Sequence, residues 1–318
     1  MPIQTLIGPE IWKSQLSKIK VAVIGTGNIG TDLCERMLRD PNFEVVAVIG
    51  RRKDSPGLLK LEGRIQKILY EGAQDLERII SLVDGVFDAT SAYTHAEHWQ
   101  IVNTAGKWMV DLTPSRIGLP IVPELIGYVK GMTLSSEHSN NYSMITCGGQ
   151  SGAPLAYVLS KHARNISKLE ISSSIASLSA GPATRDNIDQ YIESTEMLMA
   201  QVSGVEKVKA ILVLNPAEPP VMMRTTVTLA AETTDVNLMR SDLALIVRNV
   251  QKYVPGYELV VEPYAPMPGM VTATAKVSGA GYYLPSYAGN LDIINAAAVQ
   301  TAKRHMEGSQ IHNQENVL

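Results

Sequence analysis

The sequence predicts an α/β protein with a doubly wound parallel sheet, followed by an α+β half whose sheet is mainly antiparallel. Three observations carry this. Near-continuous apolar runs alternate with helical patterns up to about residue 146, as strands buried on both faces require. Beyond Cys147 the apolar residues alternate with period two, which suits a sheet covered on one face. Lastly, a Gly-rich turn joins the first strand to the first helix.

In chain order, "KIKVAVIG" reads as a strand and "TDLCERMLRD" as a helix with Leu33 and Met37 on one face. "FEVVAVIG", "GVFDAT" and "KWMVDLT" read as further strands, with the helical "THAEHWQIVNTAG" before the last of them. In the second half, "KLEISSSIASLSAG", "PVMMRTTVTLAAE", "YELVVEP" and "MVTATAKVSGA" are strand-like. Helical patterns fall on "NIDQYIESTEMLMAQV" and "VNLMRSDLALIVRNVQKYV". The Ala-rich "NLDIINAAAVQTAKRH" closes the chain as a helix with strong propensity, and the polar tail after His305 reads as disordered. The expected domains are 1–146, completed by a C-terminal helix at 288–318, and 147–287.

With 318 residues, 45% hydrophobic and 19% charged, the composition is that of a globular enzyme. A net charge of -3 leaves no basic footprint for nucleic acid. No apolar run is long enough to span a bilayer, and the N-terminus lacks the pattern of a secretory signal. Two cysteines make no disulfide framework, so a reducing cytoplasm is the expected compartment. The scattered histidines and the lack of Cys-x-x-Cys argue against a metal site.

"GTGNIG" places Gly25, Gly27 and Gly30 in G-x-G-x-x-G spacing between strand and helix, so the first half is a Rossmann-type dinucleotide domain. Gly25 is expected to make the tight turn, Gly27 to admit a pyrophosphate, and Gly30 to let helix and strand approach. At the tip of the second strand, where an acidic residue usually binds ribose hydroxyls, "GRRKD" offers Arg51 and Arg52. These suit a 2′-phosphate, so NAD is expected with NADP as an alternative; a solvated basic loop with Asp54 on the ribose is the competing reading.

Cys34 lies within an amphipathic helix pattern and reads as core. Cys147, in "MITCGGQSGAP", stands between a strand-like run and a helix pattern with Pro154 in its expected first turn. The positive end of a helix favours a thiolate, and the glycines expose backbone N–H groups to an oxyanion. A nucleophilic cysteine beside a dinucleotide suggests aldehyde or thioester chemistry; a packed thiol is the alternative.

The blocks "VAVIGTGNIGTDL", "VFDATSA", "DLTPSRIG", "MITCGGQ", "SIASLSAGPATRDNID", "VLNPAEPPVMMR", "YVPGY" and "YLPSYAGNLDI" together resemble acetaldehyde dehydrogenase (acetylating). That is the CoA-dependent family of meta-cleavage pathways that partners 4-hydroxy-2-oxovalerate aldolase. The resemblance implies that Cys147 carries the acyl thioester. It implies that Thr26, Gly27, Asn28 and Ile29 contact the dinucleotide, as do Ser179, Ala180, Gly181, Pro182, Ala183, Thr184, Arg185, Asp186, Asn187 and Asn290. Asn187 is a candidate donor to the acyl oxygen, while a plain Gly/Pro turn and a helix N-cap are the ordinary readings of that loop and of Asn290. The implied reaction converts an aldehyde, CoA and NAD(P)+ to acyl-CoA and NAD(P)H, and a homodimer is expected.

Three departures stand out. The family's "CGGQATIP" is "CGGQSGAP" here, which predicts a roomier pocket for aldehydes longer than acetaldehyde. Its "MMRDT" is "MMRTT", so Thr225 replaces a carboxylate, with Glu137 and His138 as weak substitutes for a base. A shorter segment before "VTATAKV" and an added leader put the aldolase partnership in doubt. The alternatives are a semialdehyde dehydrogenase acting on an acyl phosphate and a non-catalytic dinucleotide-binding protein.

Overall fold

The computed structural model describes residues 18–134, 139–181, 184, 185 and 187–315, with side chains to 308. Its first half is a seven-stranded sheet in which every pairing is parallel. In chain order the strands are β1 (Ile19–Ile24), β2 (Phe43–Ile49), β3 (Lys67–Leu69), β4 (Gly85–Asp88), β5 (Trp108–Asp111), β6 (Leu119–Pro120) and β7 (Asn141–Ser143). Their spatial order is β3-β2-β1-β4-β5-β7-β6. Helices α1 (Asn28–Met37), α2 (Pro56–Leu61), α3 (Ala73–Ile79) and α4 (Ala92–Thr104) connect them.

Both faces of this sheet are covered, which is why its strands read as unbroken apolar runs. Along β1, Val21 and Val23 join one core cluster while Ala22 and Ile24 join another. The second cluster packs under α3 and α4 through Leu76, Ile79 and Val102. The first runs without a break into the other half of the molecule, through Leu155, Ile171 and Val227 to Ala297.

After β7 the chain enters α5 (Cys147–Lys161), then β8 (Ala163–Ala176), α6 (Ile188–Ser203), β9 (Val208–Asn215) and β10 (Met223–Thr234). It continues through α7 (Val236–Gln251), β11 (Tyr257–Tyr264), β12 (Met270–Val277) and α8 (Gly289–Glu315). The second sheet has the order β11-β12-β10-β8-β9. Its pairs are antiparallel except β8 with β9. Leu169, Ile171, Ser173 and Ile175 of β8 point inward with Thr225, Val227 and Leu229 of β10, and α5 packs on that side. The opposite face is rich in hydroxyl side chains, with Thr226 paired to Thr274 and Thr228 to Thr272.

Helix α8 returns to the first half. Arg36 of α1 pairs with Asp292 at 2.5 Å, and Asn295 Nδ2 donates to Asp32 at 2.9 Å. Contrary to the expected disordered tail, α8 continues past His305 to Glu315. Strands β3 and β9 and helices α2 and α3 were not evident in the sequence; β3 is short, and β9 carries the unpatterned "VKAILVLN". The connection from Tyr264 to Met270 is tight, so the shortened segment closes β11 onto β12 as a hairpin.

Candidate active site

Gly25 has φ +106°, and a methyl group there would come within 2.4 Å of the Ala89 carbonyl oxygen. At Gly30 a methyl would meet the Gly25 carbonyl oxygen at 2.0 Å. Gly27, by contrast, faces open space and is exposed. The helix it starts has no side-chain cap and no acidic residue in its first turn. Helix-terminal N–H groups are thus left facing a cleft, the arrangement that accepts a pyrophosphate. Thr26 lines the cleft, Asn28 is exposed, and the Ile29 carbonyl accepts from Asn295 Nδ2 at 3.2 Å.

A groove of about 1010 Å³ opens beside this turn, along the C-terminal ends of β1, β2, β3 and β4. Arg51, Arg52 and Ser55 line it at the β2 tip, and Ser55 bonds the Thr26 hydroxyl at 2.9 Å. Asp54 is 79% exposed, 3.6 Å from Arg52, and does not line the groove. On the far wall are Thr90, Ser91, Thr94 and His98.

That wall rests on a buried polar cluster which the sequence did not disclose. Asp88 and Asp111 end adjacent strands in register, both fully buried. His95 Nδ1 lies 2.9 Å from Asp88 and 3.5 Å from Asp111, and His98 Nδ1 is also 2.9 Å from Asp88. Burial opposes the Asp88 charge, but the bonds from His95 and His98 hold its carboxyl down at about 2. Burial pushes Asp111 up to about 6, with the Asp88 charge adding to the rise. His95, whose charge burial opposes, is nevertheless held above the ordinary value by Asp88 and Asp111. Each carboxylate also accepts the N–H two residues on, from Thr90 at 3.0 Å and Thr113 at 2.7 Å, so both strand-end turns are fixed.

Cys147 is the first residue of α5, not a residue ahead of a later start, and Pro154 lies inside the helix. Ile145 just before it has φ +62°, a left-handed conformation that a β-branched residue adopts only under constraint. Thr146 caps the helix by accepting from Gly149 N–H at 2.9 Å, and its hydroxyl bonds that of Thr195 at 2.8 Å. The strand order puts β7 three strands from β1, roughly 14 Å across the same C-terminal edge. Cys147 therefore lies beyond the groove's lining, on the edge that carries the glycine turn.

The half-buried thiol does not have the lowered pKa expected of it. Burial raises it, and the opposing contributions of the Tyr191 hydroxyl and the Gly148 and Cys147 N–H groups do not cancel that rise. Desolvation outweighs the helix terminus here. Tyr191 is a further residue the sequence did not point to, because its position on α6 reads as ordinary core. Its hydroxyl lies 3.7 Å from Sγ and accepts from Gly148 N–H at 3.1 Å. Cys34 is fully buried, as expected of a core thiol.

The loop before α6 passes close by. Asn187 occupies the N-cap position, and its carbonyl accepts from Tyr191 N–H, so it sits one turn from the residue that touches Sγ. Ser179 and Ala180 are buried, while Gly181 and Thr184 are half-buried. Arg185 donates to Ser177 and to the Ala180 carbonyl, spending its guanidinium on its own loop. Asn290, within the first turn of α8, reaches the Ser179 carbonyl at 3.5 Å, and its buried Oδ1 has no partner among the described residues. It ties the loop to the first half rather than capping a helix. Pro182, Ala183, Asp186, Glu137 and His138 lie outside the described residues.

The room expected from "SGAP" is already filled. A methyl at Gly152 would meet Ile171 Cδ1 at 2.3 Å, and Ser151 and Ala153 are fully buried. These residues let α5 lie close on the sheet. Thr225 is buried beneath them and bonds Ser173 at 3.2 Å. Among the described residues no group of three or more His, Cys, Asp or Glu side chains could hold a metal ion. No helix among them is long and apolar enough to cross a membrane.

Residues 20–116 match the family described as semialdehyde dehydrogenase, NAD binding domain, and residues 147–285 match prokaryotic acetaldehyde dehydrogenase, dimerisation. The chain has the fold of aspartate semialdehyde dehydrogenase II from Vibrio cholerae, with a TM-score of 0.60 at 14% identity, over 90% of this chain and 98% of that one. The acetaldehyde dehydrogenase of Burkholderia pseudomallei (strain 668) is 43% identical over 294 residues, 92% of this chain and 97% of that protein. That of Pectobacterium atrosepticum is 40% identical over 282 residues, 89% and 94% of the two chains. That of Spirochaeta aurantia is 40% identical, over 92% and 96%. With a glycine cradle and a helix-leading cysteine on one sheet edge, and with this identity over nearly its whole length, the chain belongs to the acetaldehyde dehydrogenase family.

Proposed function

We propose that the chain is a CoA-acylating aldehyde dehydrogenase, oxidising acetaldehyde or a similarly short aldehyde to its acyl-CoA by way of a thioester on Cys147. The observation that carries this reading is the position of Sγ: half-buried, at the start of α5, over the sheet edge that bears the open Gly27 cradle. In this reading Gly25, Thr26, Gly27, Asn28, Ile29 and Gly30 hold the dinucleotide, which supplies the hydride acceptor. Arg51 and Arg52 take the place of an acidic residue on the groove wall, so NADP is accepted as well as NAD.

The chain's own groups do the following. Cys147 Sγ, as thiolate, forms a bond to the aldehyde carbon, and the carbonyl oxygen becomes an alkoxide within reach of donors at the α5 terminus and Asn187. Loss of hydride leaves a thioester on Cys147. The CoA thiol attacks this carbon, Sγ leaves with the bonding pair, and the thiol proton ends on Cys147. Loop 179–187 and Asn290 shape the space between nucleotide half and thiol.

Residues 1–146 with 288–318 then form the dinucleotide domain, and 147–287 the catalytic and dimerisation domain. The hydroxyl-rich outer face of the second sheet is the proposed homodimer surface, since α5 packs on the other face and among the described residues no helix covers this one. The short hairpin at 265–269 offers little surface to an aldolase partner.

Incubation with acetyl-CoA and intact-mass analysis tests the reading. One acetyl group should appear on the wild type and none on Cys147→Ala. Aldehyde oxidation should require CoA, and a requirement for phosphate instead would overturn it.

A further inference from the structure

Resting on that reading, we propose that Tyr191 is a catalytic residue: its hydroxyl, backed by Ser173 and Thr225, is the hydrogen-bond donor that stabilises the Cys147 thiolate. The thiol is half-buried at the end of a helix and has lost much of its solvation, so a charged sulfur there needs a partner. Tyr191 Oη, 3.7 Å away, is its side-chain hydrogen-bond partner among the described residues.

The position of Tyr191 is tightly held. Gly148 N–H donates to Oη, and a methyl at Gly148 would come within 2.2 Å of Oη and 2.7 Å of Ser173 Oγ. Glycine at 148 is therefore what lets the phenol stand beside the sulfur. Behind it stands Ser173, whose Oγ crowds the same point beside Gly148 as Oη does, and Thr225 bonds Ser173 at 3.2 Å. Ser173 and Thr225 are fully buried and Tyr191 nearly so.

These hydroxyls can take either of two orientations. With Cys147 as a thiol, Sγ–H donates to Oη. With Cys147 as a thiolate, Oη–H turns to Sγ, Ser173 donates to Oη, and Thr225 donates to Ser173. The proton of Tyr191 is shared with sulfur and never leaves, because burial and the nearby Cys147 keep the phenol protonated far above its ordinary range. The same donor serves twice: it holds the attacking thiolate, and it receives Sγ when acyl transfer returns the bonding pair to it. Sγ is faced by Tyr191 from α6 and by the N–H groups of Cys147 and Gly148 from α5, while the strands set Ser173 and Thr225, which do not titrate, behind them.

The test is the pH dependence of Cys147 alkylation by iodoacetamide in the full chain, without cofactor, for wild type, Tyr191→Phe and Ser173→Ala. Removing the donor should move the alkylation midpoint up by about one pH unit, a roughly tenfold slower reaction at pH 8. Ser173→Ala should shift it the same way by about half as much. Acylation by acetyl-CoA should slow in parallel. An unchanged midpoint in a folded Tyr191→Phe overturns the proposal, and if that variant does not fold, an unchanged midpoint in Ser173→Ala does so. Failure of the functional reading looks different: the wild type would alkylate with the predicted profile but never gain an acetyl group.

Discussion

The Cα of Gly25 faces the carbonyl oxygen of Ala89 with no room for a side chain between β1 and β4. A methyl would sit 2.4 Å from that oxygen, and φ is +106°. Gly25→Ala should therefore lower stability by about 3 kcal/mol from the backbone conformation and the overlap together. NAD binding, followed by isothermal titration, should be lost even where the variant folds. Gly27→Ala, which meets nothing within 4 Å, should keep the fold and weaken only binding.

Asp111, raised to about 6, gives a stability profile with a definite sign. The folded chain holds this proton more tightly than the unfolded one, so the contribution is fully present below the ordinary carboxyl value and is lost as pH rises through about 6. Asp88 behaves oppositely, losing its contribution only as pH falls through about 2. Between pH 4 and 6, urea midpoints of the wild type should fall relative to those of Asp111→Asn. A constant difference would show that Asp111 does not titrate in this window.

The arginine pair at the β2 tip should make cofactor choice permissive. Wild-type kcat/KM with NADP+ should be comparable to that with NAD+. Arg52→Ala should cut the NADP+ value about tenfold, one charge-assisted hydrogen bond, with a smaller effect on NAD+. Strong preference of the wild type for NAD+ would assign the arginines to a solvated loop.

Thr146 caps the helix that carries the thiol. Its replacement by alanine should lower stability by about 1 kcal/mol, read from chemical denaturation. It should also slow acetylation of Cys147, because the backbone from Ile145 to Gly149 is then held less firmly.

Much of this was legible in sequence because the signals are local. The apolar runs at Val21–Ile24 and Val45–Ile49 imply a sheet buried on both faces, and both faces of β1 are indeed covered. The spacing of Gly25, Gly27 and Gly30 marks a turn in which Gly25 and Gly30 leave no room for a side chain and Gly27 opens on the cleft. The period-two pattern of β8 and β10 implies a sheet covered on one face, and burial does alternate along both strands. Short β3 and edge strand β9 were missed, since three residues or an unpatterned run give no period to read.

The sequence by itself determined the two kinds of sheet, the glycine cradle and the presence of a cysteine at a helix start. Tertiary structure alone decided what surrounds that cysteine. Tyr191 and Ser173 are 44 and 26 residues from Cys147 along the chain, and only the packing of α5 against α6 and β8 brings the Tyr191 hydroxyl to Sγ and that of Ser173 beside Gly148. It also decided that burial outweighs the helix terminus at Sγ and that Ile171 fills the space beside Gly152. Periodicity is a property of neighbours in sequence, whereas desolvation and contact depend on which distant groups exclude water from the same few ångströms.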